Sequence, residues 1–350
     1  MIDTIYYERS AAGHPRTKAI LARFPHAVRI SCDRYGEVFN RRAQSFRLQK
    51  QRPSLILAQK HANLVLETPV GYGIGGERNY YFSHMLNCVY DCRYCFLQGM
   101  YQSAHYVLFV NYEDFGNAIL EKAMASTHEE PYFFSGYDCD SLALDNVTEF
   151  TDFIVPLFRK LDNAWLELRT KSVQTRALES YQPQDRVIVA FSITPNDISE
   201  ATEHKVPKLT QRLAVMQSLA QCGWQLGLRF DPLLYFHNWQ TAYRELFSQI
   251  FAKIRPKCVH SVSLESAVAP GVHRVAPTAD VVVAVVCCCF SSCQVNVHAC
   301  AKVQHLKEIF CASSSPFLSE VSLDLMAGSS SLQEIQPELA SDRTTLQKFF

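Results

Sequence analysis

The sequence contains 350 residues, of which 48% are hydrophobic and 19% charged, so it can form a sizeable folded core. Acidic and basic residues are equal in number, which excludes the overall positive charge that is typical of many nucleic-acid-binding proteins. The longest apolar stretch, residues 281–290, is too short to span a bilayer, and the polar residues 1–9 lack the apolar region of a secretory signal. The thirteen cysteines then favour a reducing, cytoplasmic location and no membrane partner.

Residues 1–78 are predicted to form a small N-terminal α/β domain. A helix near residues 15–24 and a strand near residues 27–30 are its clearest elements. Residues 1–60 hold twelve Lys or Arg against four Asp or Glu, a local charge of +8. Such a basic face suits phosphate groups, and it suits a solvated surface equally well. Glycines at 71, 73, 75 and 76 predict a hinge, because no Lys-Ser/Thr pair of a phosphate loop follows them.

Between residues 79 and 264, predicted strands and helices alternate. Strand patterns occur at residues 80–86, 131–136, 164–170, 187–193, 225–230 and 258–264. Apolar residues at helical spacing occur at 112–125, 147–161, 208–221 and 239–254. Strands that alternate with helices pair in parallel through right-handed crossovers. Because six units are fewer than the eight of a closed barrel, the pattern predicts an α/β fold with an open, partial (β/α)6 barrel.

Residues 265–350 have a different composition from the rest of the chain. They contain none of the sixteen tyrosines and none of the three tryptophans, yet they hold six of the thirteen cysteines. The consecutive cysteines Cys287–Cys289 do not predict a second metal site, because three neighbouring thiols cannot all point at one metal. We therefore predict an atypical tail that is poorly folded or the product of a frame-shift.

Three cysteines of the predicted barrel, Cys88, Cys92 and Cys95, have the spacing C-x3-C-x2-C. Three thiolates can each hold one iron of a [4Fe–4S] cluster, which leaves the fourth iron open to a small molecule. A structural zinc site commonly uses two cysteine pairs, whereas the next cysteine in this chain is Cys139. The spacing predicts a [4Fe–4S] cluster, with a zinc site as the alternative.

With Tyr94 immediately before its last cysteine, the motif resembles the signature of radical S-adenosylmethionine (SAM) enzymes. In that superfamily the open iron binds SAM, and one electron from the cluster cleaves SAM to methionine and a 5′-deoxyadenosyl radical. The partial barrel is also that superfamily's core architecture. The resemblance implies two cofactors, a [4Fe–4S] cluster and SAM, and an external electron donor such as flavodoxin or ferredoxin.

Further stretches resemble the spore photoproduct lyase family, a radical SAM group that acts on DNA. They lie in the family's order at residues 39–41, 48–50, 55–60, 88–98, 168–171 and 191–193. The resemblance implies a lyase that repairs a methylene-bridged thymine dimer by removing a hydrogen atom from it, and damaged pyrimidines in DNA as the partner. Two alternatives stay open. One is a radical SAM enzyme that acts on RNA or a small metabolite, and the other is a zinc-stabilised nucleic-acid-binding protein without catalysis.

The resemblance also assigns roles to single residues. Cys88, Cys92 and Cys95 match the cluster ligands, and Tyr94 matches a tyrosine beside SAM. Phe96 stands where the family has a second tyrosine. Lys171 matches a lysine that meets the SAM carboxylate, and Ser192 matches a serine that contacts SAM. A surface lysine and a core hydroxyl are the alternative interpretations of these last two residues.

The segment of residues 135–141 departs most from the family pattern. The family's hydrogen-donating cysteine falls at Tyr137, and Cys139 lies two residues further on. Residues two apart on a strand share a face, so the loop could place Cys139 in the same cavity. We predict Cys139 as the hydrogen donor, Tyr137 as the alternative donor and Tyr94 as a further catalytic residue.

Two more polar residues of this segment, Asp140 and Ser141, are predicted to contact SAM. Asp138 and Asp140 follow a predicted strand, where a carboxylate suits the SAM ribose or amine. The alternative is that these carboxylates only cap the following helix.

Overall fold

The computed structural model describes residues 2–69, 72–74, 76, 78–126, 129–234, 236–266, 283–289 and 292–298. The predictions about the tail, residues 265–350, fall mostly outside these residues, as do Gly71 and Gly75 of the predicted hinge. Within the described part of the chain, no helix has the length and apolar character needed to cross a membrane.

Short strands and helices follow one another through the described chain. The strands are β1 (Thr4–Glu8), β2 (Val28–Cys32), β3 (Leu55–Ala58), β4 (Leu66–Glu67), β5 (Asn79–Phe82), β6 (Met85–Leu86), β7 (Asp91–Cys92), β8 (Tyr106–Phe109), β9 (Tyr132–Ser135), β10 (Trp165–Thr170), β11 (Val187–Ser192), β12 (Glu203–His204), β13 (Gln225–Leu233), β14 (Val259–Ser266), β15 (Val283–Cys289) and β16 (Ser292–His298). The α-helices are α1 (Pro15–Arg23), α2 (Gly36–Phe39), α3 (Phe46–Gln49), α4 (Leu97–Met100), α5 (Tyr112–Ala125), α6 (Asp145–Thr148), α7 (Phe150–Phe158), α8 (Arg176–Glu179), α9 (Asn196–Thr202), α10 (Leu209–Cys222) and α11 (Trp239–Phe251).

The larger sheet confirms the predicted α/β architecture with parallel strands. Its order is β16-β15-β14-β13-β11-β10-β9-β5-β4. The six strands from β5 to β14 in this order are joined by parallel pairing throughout. The parallel strands after β5 each follow a helix, as parallel pairing requires of a crossover connection. The carboxyl ends of these strands therefore meet at one edge of the sheet, where α/β proteins commonly place their sites.

The two faces of this sheet differ in chemistry. Phe133, Leu166 and Val189 belong to the main hydrophobic core, into which the helices also pack. On the opposite face, Tyr132, Phe134 and Ile188 form a second, smaller apolar cluster. The alternation follows from the two-residue period of a strand.

One predicted strand, residues 80–86, is wrong as a single element. Its first part, β5, pairs with β9 in the larger sheet, while its second part, β6, pairs antiparallel with β8 in the smaller sheet. His84, between them, stacks its ring on that of Phe150 with 3.8 Å between centroids. Local pattern cannot reveal this switch, because both parts are apolar and strand-like.

The predicted helix at 147–161 is also divided. Helix α6 ends before Glu149, whose φ of 50° is left-handed, and α7 begins at Phe150. The carboxylate of Asp145 accepts a hydrogen bond from the N–H of Thr151 at 2.9 Å, which satisfies one of the open donors at the start of α7. By contrast, α5 has the predicted bounds.

The smaller sheet has the order β2-β1-β3-β8-β6. Its first four strands pair in parallel, and β6 closes it antiparallel to β8. It combines strands from both sides of residue 78, while β4 from before that residue joins the larger sheet. The domain boundaries at residues 78 and 264 thus stay predictions.

Candidate functional site

The three cysteines of the motif lie on one loop that follows β6. Cys92 belongs to β7, which pairs antiparallel with β12 so that Cys92 lies opposite Glu203. The N–H of Cys95 donates to the carbonyl of Cys92 at 3.1 Å, which makes a tight turn between two of the thiols. Cys92 is buried, whereas Cys88 and Cys95 are half-buried. We call residues 88–95 the cysteine loop.

Lys50 holds the backbone of the cysteine loop through two hydrogen bonds. Its ammonium donates to the carbonyls of Cys88 and Tyr90, each at 3.0 Å. Lys205 donates in turn to the carbonyl of Lys50 at 3.2 Å. Burial lowers the pKa of Lys50, an effect that the nearby Cys88 partly offsets. The stretch 48–50 thus has a structural reason to accompany the cysteine motif.

The donor set of the loop fits an iron–sulfur cluster. Burial raises the pKa of Cys92 to about 12, and it raises the pKa values of the Cys88 and Cys95 thiols as well. Iron binding would therefore release protons from these thiols. In the described ranges no three His, Cys, Asp or Glu side chains converge on a single metal ion. Thiolates on a cluster bind different irons and need not converge in this way.

Glu203 is the centre of a buried polar network beside the loop, which sequence reasoning did not identify. Its Oε1 atom accepts hydrogen bonds from the Tyr94 hydroxyl, from Lys171 Nζ at 2.8 Å and from Thr194 Oγ1 at 3.0 Å. Its Oε2 atom accepts from Ser199 Oγ at 2.6 Å and from an Arg212 nitrogen at 2.8 Å. We call Glu203, Lys171 and Arg212 the Glu203 hub.

Electrostatics keep the carboxylate of the Glu203 hub ionised. Burial alone would raise the pKa of Glu203, but Lys171 and Arg212 outweigh burial and hold that pKa well below its usual range. Arg212 also donates to the carbonyl of Ser192 at 2.8 Å. The hub therefore connects Tyr94, Lys171 and Ser192, three residues that the sequence predicts at the SAM site.

Asp140 holds the loop after β9 against the end of β10. Its Oδ1 atom accepts from Thr170 Oγ1 at 2.6 Å and from the N–H groups of Leu142 and Ala143 at 3.0 and 2.9 Å. Its Oδ2 atom accepts from the N–H of Lys171 at 2.6 Å. These bonds place Lys171, and they organise a turn rather than cap a helix.

Ser141 is buried within the same loop. Its hydroxyl donates to Ser135 Oγ at 3.0 Å. A Cβ atom on Gly136, whose φ is +85°, would lie 2.5 Å from that hydroxyl oxygen. Only glycine therefore fits at this position. The predicted contacts of Asp140 and Ser141 with SAM stay predictions.

Tyr137 and Cys139 lie in different surroundings. The Tyr137 ring is 4.6 Å from that of Tyr81 and 5.7 Å from that of Phe96, which directly follows Cys95. Cys139 is 8% exposed and belongs to the main hydrophobic core, where burial raises the pKa of its thiol well above its usual range. The ring of Tyr137 is thus the one beside the cysteine loop. The donor role predicted for Cys139 stays a prediction.

Comparison with known proteins identifies the family of this chain. The family model described as spore photoproduct lyase matches residues 77–287, which include the cysteine loop and the parallel strands. The chain belongs to this family. Spore photoproduct lyase of Bacillus subtilis is 24% identical over 183 residues, which cover 51% of this chain and 52% of that protein. The Clostridium acetobutylicum protein of the same name is 20% identical over 263 residues, covering 73% and 76%. The chain spans about half the length of the Bacillus relative.

Solved structures of spore photoproduct lyases share the fold. A mutant with bound AdoMet and dinucleoside spore photoproduct superposes with a TM-score of 0.66 and 18% identity, covering 74% of this chain and 77% of that one. A complex with dinucleoside spore photoproduct gives a TM-score of 0.65 at 18% identity, covering 73% of this chain and 75% of that one.

Proposed function

We propose that this protein is a radical SAM lyase that repairs a thymine-dimer lesion of the spore photoproduct type in DNA. The observation that carries the proposal is the cysteine loop, held on one side by Lys50 and on the other by the Glu203 hub. Membership of the spore photoproduct lyase family supports the same activity.

Each residue of the site has a distinct part in this proposal. The thiolates of Cys88, Cys92 and Cys95 would hold three irons of a [4Fe–4S] cluster. Lys171, which is 14% exposed, would place its ammonium against the SAM carboxylate. When bound, the cluster and SAM supply a 5′-deoxyadenosyl radical after one-electron cleavage of SAM. Ser192 and Tyr94 would border SAM on the hub side.

We also propose how the two sheets are arranged. The six parallel strands would curve into an open, partial (β/α)6 barrel. Residues 1–78, which supply β1, β2 and β3 of the smaller sheet, would form the small N-terminal α/β domain beside it. The buried ion pair of Glu167 and Arg229 lies on the face opposite the helices, together with the smaller apolar cluster. A face that combines charged and aromatic side chains would suit the inside of the barrel.

A DNA partner is supported by the basic segment near the cysteine loop. Arg41, Arg42 and Arg47 are exposed and form no ion pair among the described residues. Gln49, in the same segment, accepts a hydrogen bond from the N–H of Ala104 at 2.9 Å, and Lys50 holds the loop itself. The positive charges would therefore bring phosphates close to the site. An external donor such as flavodoxin or ferredoxin would supply the electron, in the cytoplasm.

Anaerobic reconstitution with iron and sulfide tests the proposal. We expect about four irons per chain, and 5′-deoxyadenosine from SAM under a strong reductant, with more of it when dinucleotide spore photoproduct is present. Alanine at Cys88, Cys92 or Cys95 should abolish this product, whereas Cys222→Ala, which removes an exposed thiol on α10, should not.

Two outcomes would support the alternatives instead. Stoichiometric zinc without 5′-deoxyadenosine would favour the non-catalytic nucleic-acid-binding protein. SAM cleavage that spore photoproduct does not affect, but RNA or a small metabolite stimulates, would favour a different substrate.

A further inference from the structure

The two carboxylate oxygens of Glu203 have different kinds of partner. Oε1 accepts from Lys171 and Tyr94, both predicted at the SAM site, and also from Thr194, which follows β11. Oε2 accepts from Ser199 and Arg212, whose side chains belong to α9 and α10. One oxygen thus orients the groups at the site, while the other attaches the carboxylate to the supporting helices.

Within the hub itself the cations outnumber the carboxylates. Two cations, Lys171 and Arg212, meet the single carboxylate of Glu203, which leaves one positive charge in a buried place. The side chains of Arg212 and Glu203 have no exposure, whereas that of Lys171 is 14% exposed. An incoming anion can therefore reach the hub only at Lys171. The excess positive charge of the hub favours an anionic ligand at that ammonium.

The hub is also connected to the cysteine loop through the backbone. Strand β12 pairs with β7, so Glu203 lies directly opposite Cys92. The N–H of Arg93 donates to the carbonyl of Thr202 at 2.8 Å, which extends this connection by one residue. A shift of Glu203 would therefore move Lys171, Tyr94 and a cluster ligand together.

We propose that Glu203, supported by Arg212, is a positioning residue that aims Lys171 at the carboxylate of SAM and couples SAM binding to the cysteine loop. The inference rests on the proposed function and assigns a role to two residues that the cysteine motif does not include. Glu203 acts through Lys171 and Tyr94. Its removal should weaken the recognition of the SAM carboxylate while the thiols keep their iron.

Equilibrium binding to the iron-loaded protein tests this role without measuring turnover. We expect Glu203→Gln to keep the iron content and to lower SAM affinity about tenfold. Because the variant gives the hub more positive charge, this loss would come from the orientation of Lys171, whose ammonium no longer has its charged acceptor. Decarboxylated SAM, which lacks the group that Lys171 would meet, should bind the variant and the wild type equally. The shift of the reduced cluster's electron paramagnetic resonance spectrum on SAM addition should be smaller in the variant. Glu200→Gln, an exposed change on α9, the helix that directly precedes Glu203, is the matched control.

A double-mutant cycle with Lys171→Met decides whether Glu203 acts through the lysine. In that background Glu203→Gln should have no further effect on SAM affinity. Additive losses, or equal losses for SAM and decarboxylated SAM, would overturn the inference.

Three other outcomes are equally decisive. Should Glu203→Gln not fold, Glu203→Asp keeps the charge and shortens the side chain; loss of iron together with SAM affinity in that variant would make the role purely structural. A wild-type protein that holds iron but binds no SAM would refute the proposed function itself, whereas equal SAM binding by wild type and variant would refute only this inference.

Discussion

Two regions of this molecule bury a glutamate between two cations. Glu167, on β10, pairs with Arg229 at 2.6 Å and with Arg169 at 3.1 Å. Glu203 pairs with Lys171 and Arg212, each at 2.8 Å. Neither glutamate side chain has any exposure, and in both cases the cations outweigh burial and lower the pKa of the carboxyl group.

The partners make the difference between these regions. Glu167 and its cations project from strands of one sheet, where Arg229 also donates to Ser261 Oγ at 2.9 Å. The Glu203 hub instead joins a helix, the end of a strand and the cysteine loop. The same charge pattern thus stabilises a sheet in one region and positions separate segments in the other. We therefore expect variants of the Glu167 region to change stability and variants of the Glu203 hub to change ligand binding.

The largest effect should come from Glu167→Leu. This change leaves the fully buried guanidinium of Arg229 without its carboxylate, and breaking a buried pair in this way typically costs about 3–5 kcal/mol. Denaturant unfolding should show this loss for Glu167→Leu, and SAM affinity of the folded fraction should be unchanged. A selective loss of SAM binding with normal stability would contradict the division between the two regions.

Acid should weaken the Glu167 region in a defined pH window. The two arginines hold the pKa of Glu167 at about 2, below the usual value of 4.5. A carboxyl group with a lowered pKa stabilises the fold above its unfolded pKa, and this stability is lost as the pH falls through the folded value. We expect a loss of about 3 kcal/mol between pH 4.5 and pH 2.

Unfolding free energies measured at several pH values check this prediction. Glu167→Gln cannot ionise, so its stability should depend less on pH in that window. If the unfolding free energy of Glu167→Gln falls with acid as much as that of the wild type, other carboxylates, Glu203 among them, would be the cause.

How far the sequence predicted these regions depends on the range of the interactions. Strand and helix patterns are local, so β9, β10 and β11 were found within about two residues. The cysteine spacing is local too. The charge pairs are not local: Glu167 and Arg229 are separated by 62 residues, and Lys171 and Glu203 by 32. No spacing rule joins such residues, because only the tertiary fold brings them together. Glu167 and Arg229 lie on strands of one parallel sheet, whereas Glu203 lies on β12, which pairs antiparallel with β7.

The sequence predicted one strand of the smaller sheet, β2, and missed β1, β3 and β8 for a related reason. Its strands β3 and β8 are continuous apolar runs of four residues, which periodicity alone cannot assign to a strand or to a buried helix. Their partners lie far along the chain, since β3 pairs with β1 and β8. At the site, the sequence did not identify Arg212 as a functional residue. It lies in a predicted helix, and the helical spacing of the apolar residues accounts for that segment without it.

A smaller effect, on DNA binding, is expected from changes in the basic segment. This segment is exposed and lies far from both buried glutamates in sequence. Changing Arg41, Arg42 and Arg47 to glutamate should weaken DNA binding. It should also flatten the salt dependence by about 0.9 logarithmic units per lost phosphate contact. Binding measured by fluorescence anisotropy at several salt concentrations gives this slope. Stability and SAM affinity should not change.

A second triple variant, in which three other basic residues are changed to glutamate, controls for the change in net charge. Lys253, Arg255 and Lys257 are also exposed, and they lie between α11 and β14. Equal losses from the two triple variants would indicate that total charge, rather than the segment near the cysteine loop, controls DNA binding.

The smallest effect is expected at the last step of the reaction, in which a residue returns a hydrogen atom to the substrate radical. One candidate for this residue lies where the Glu167 region and the Glu203 hub meet. Tyr137 lies between them, since its ring contacts Phe96 of the cysteine-loop side and Tyr72, over which the Arg169 guanidinium is placed at 5.6 Å. Cys139, our predicted donor, is packed in the main core. We now expect Tyr137→Phe to lower the yield of clean repair product more than Cys139→Ala, because a hydrogen donor must reach the substrate radical. Neither change should affect SAM cleavage.

Product analysis by mass spectrometry, with 5′-deoxyadenosine as the internal measure of SAM cleavage, separates these possibilities. Tyr132→Phe removes a hydroxyl from the opposite end of β9 and serves as the control. A silent Tyr137→Phe together with side products from Cys139→Ala would restore the thiol as donor. It would also require that the loop of residues 135–141 open, because the thiol is only 8% exposed and Asp140 and Ser141 anchor that loop.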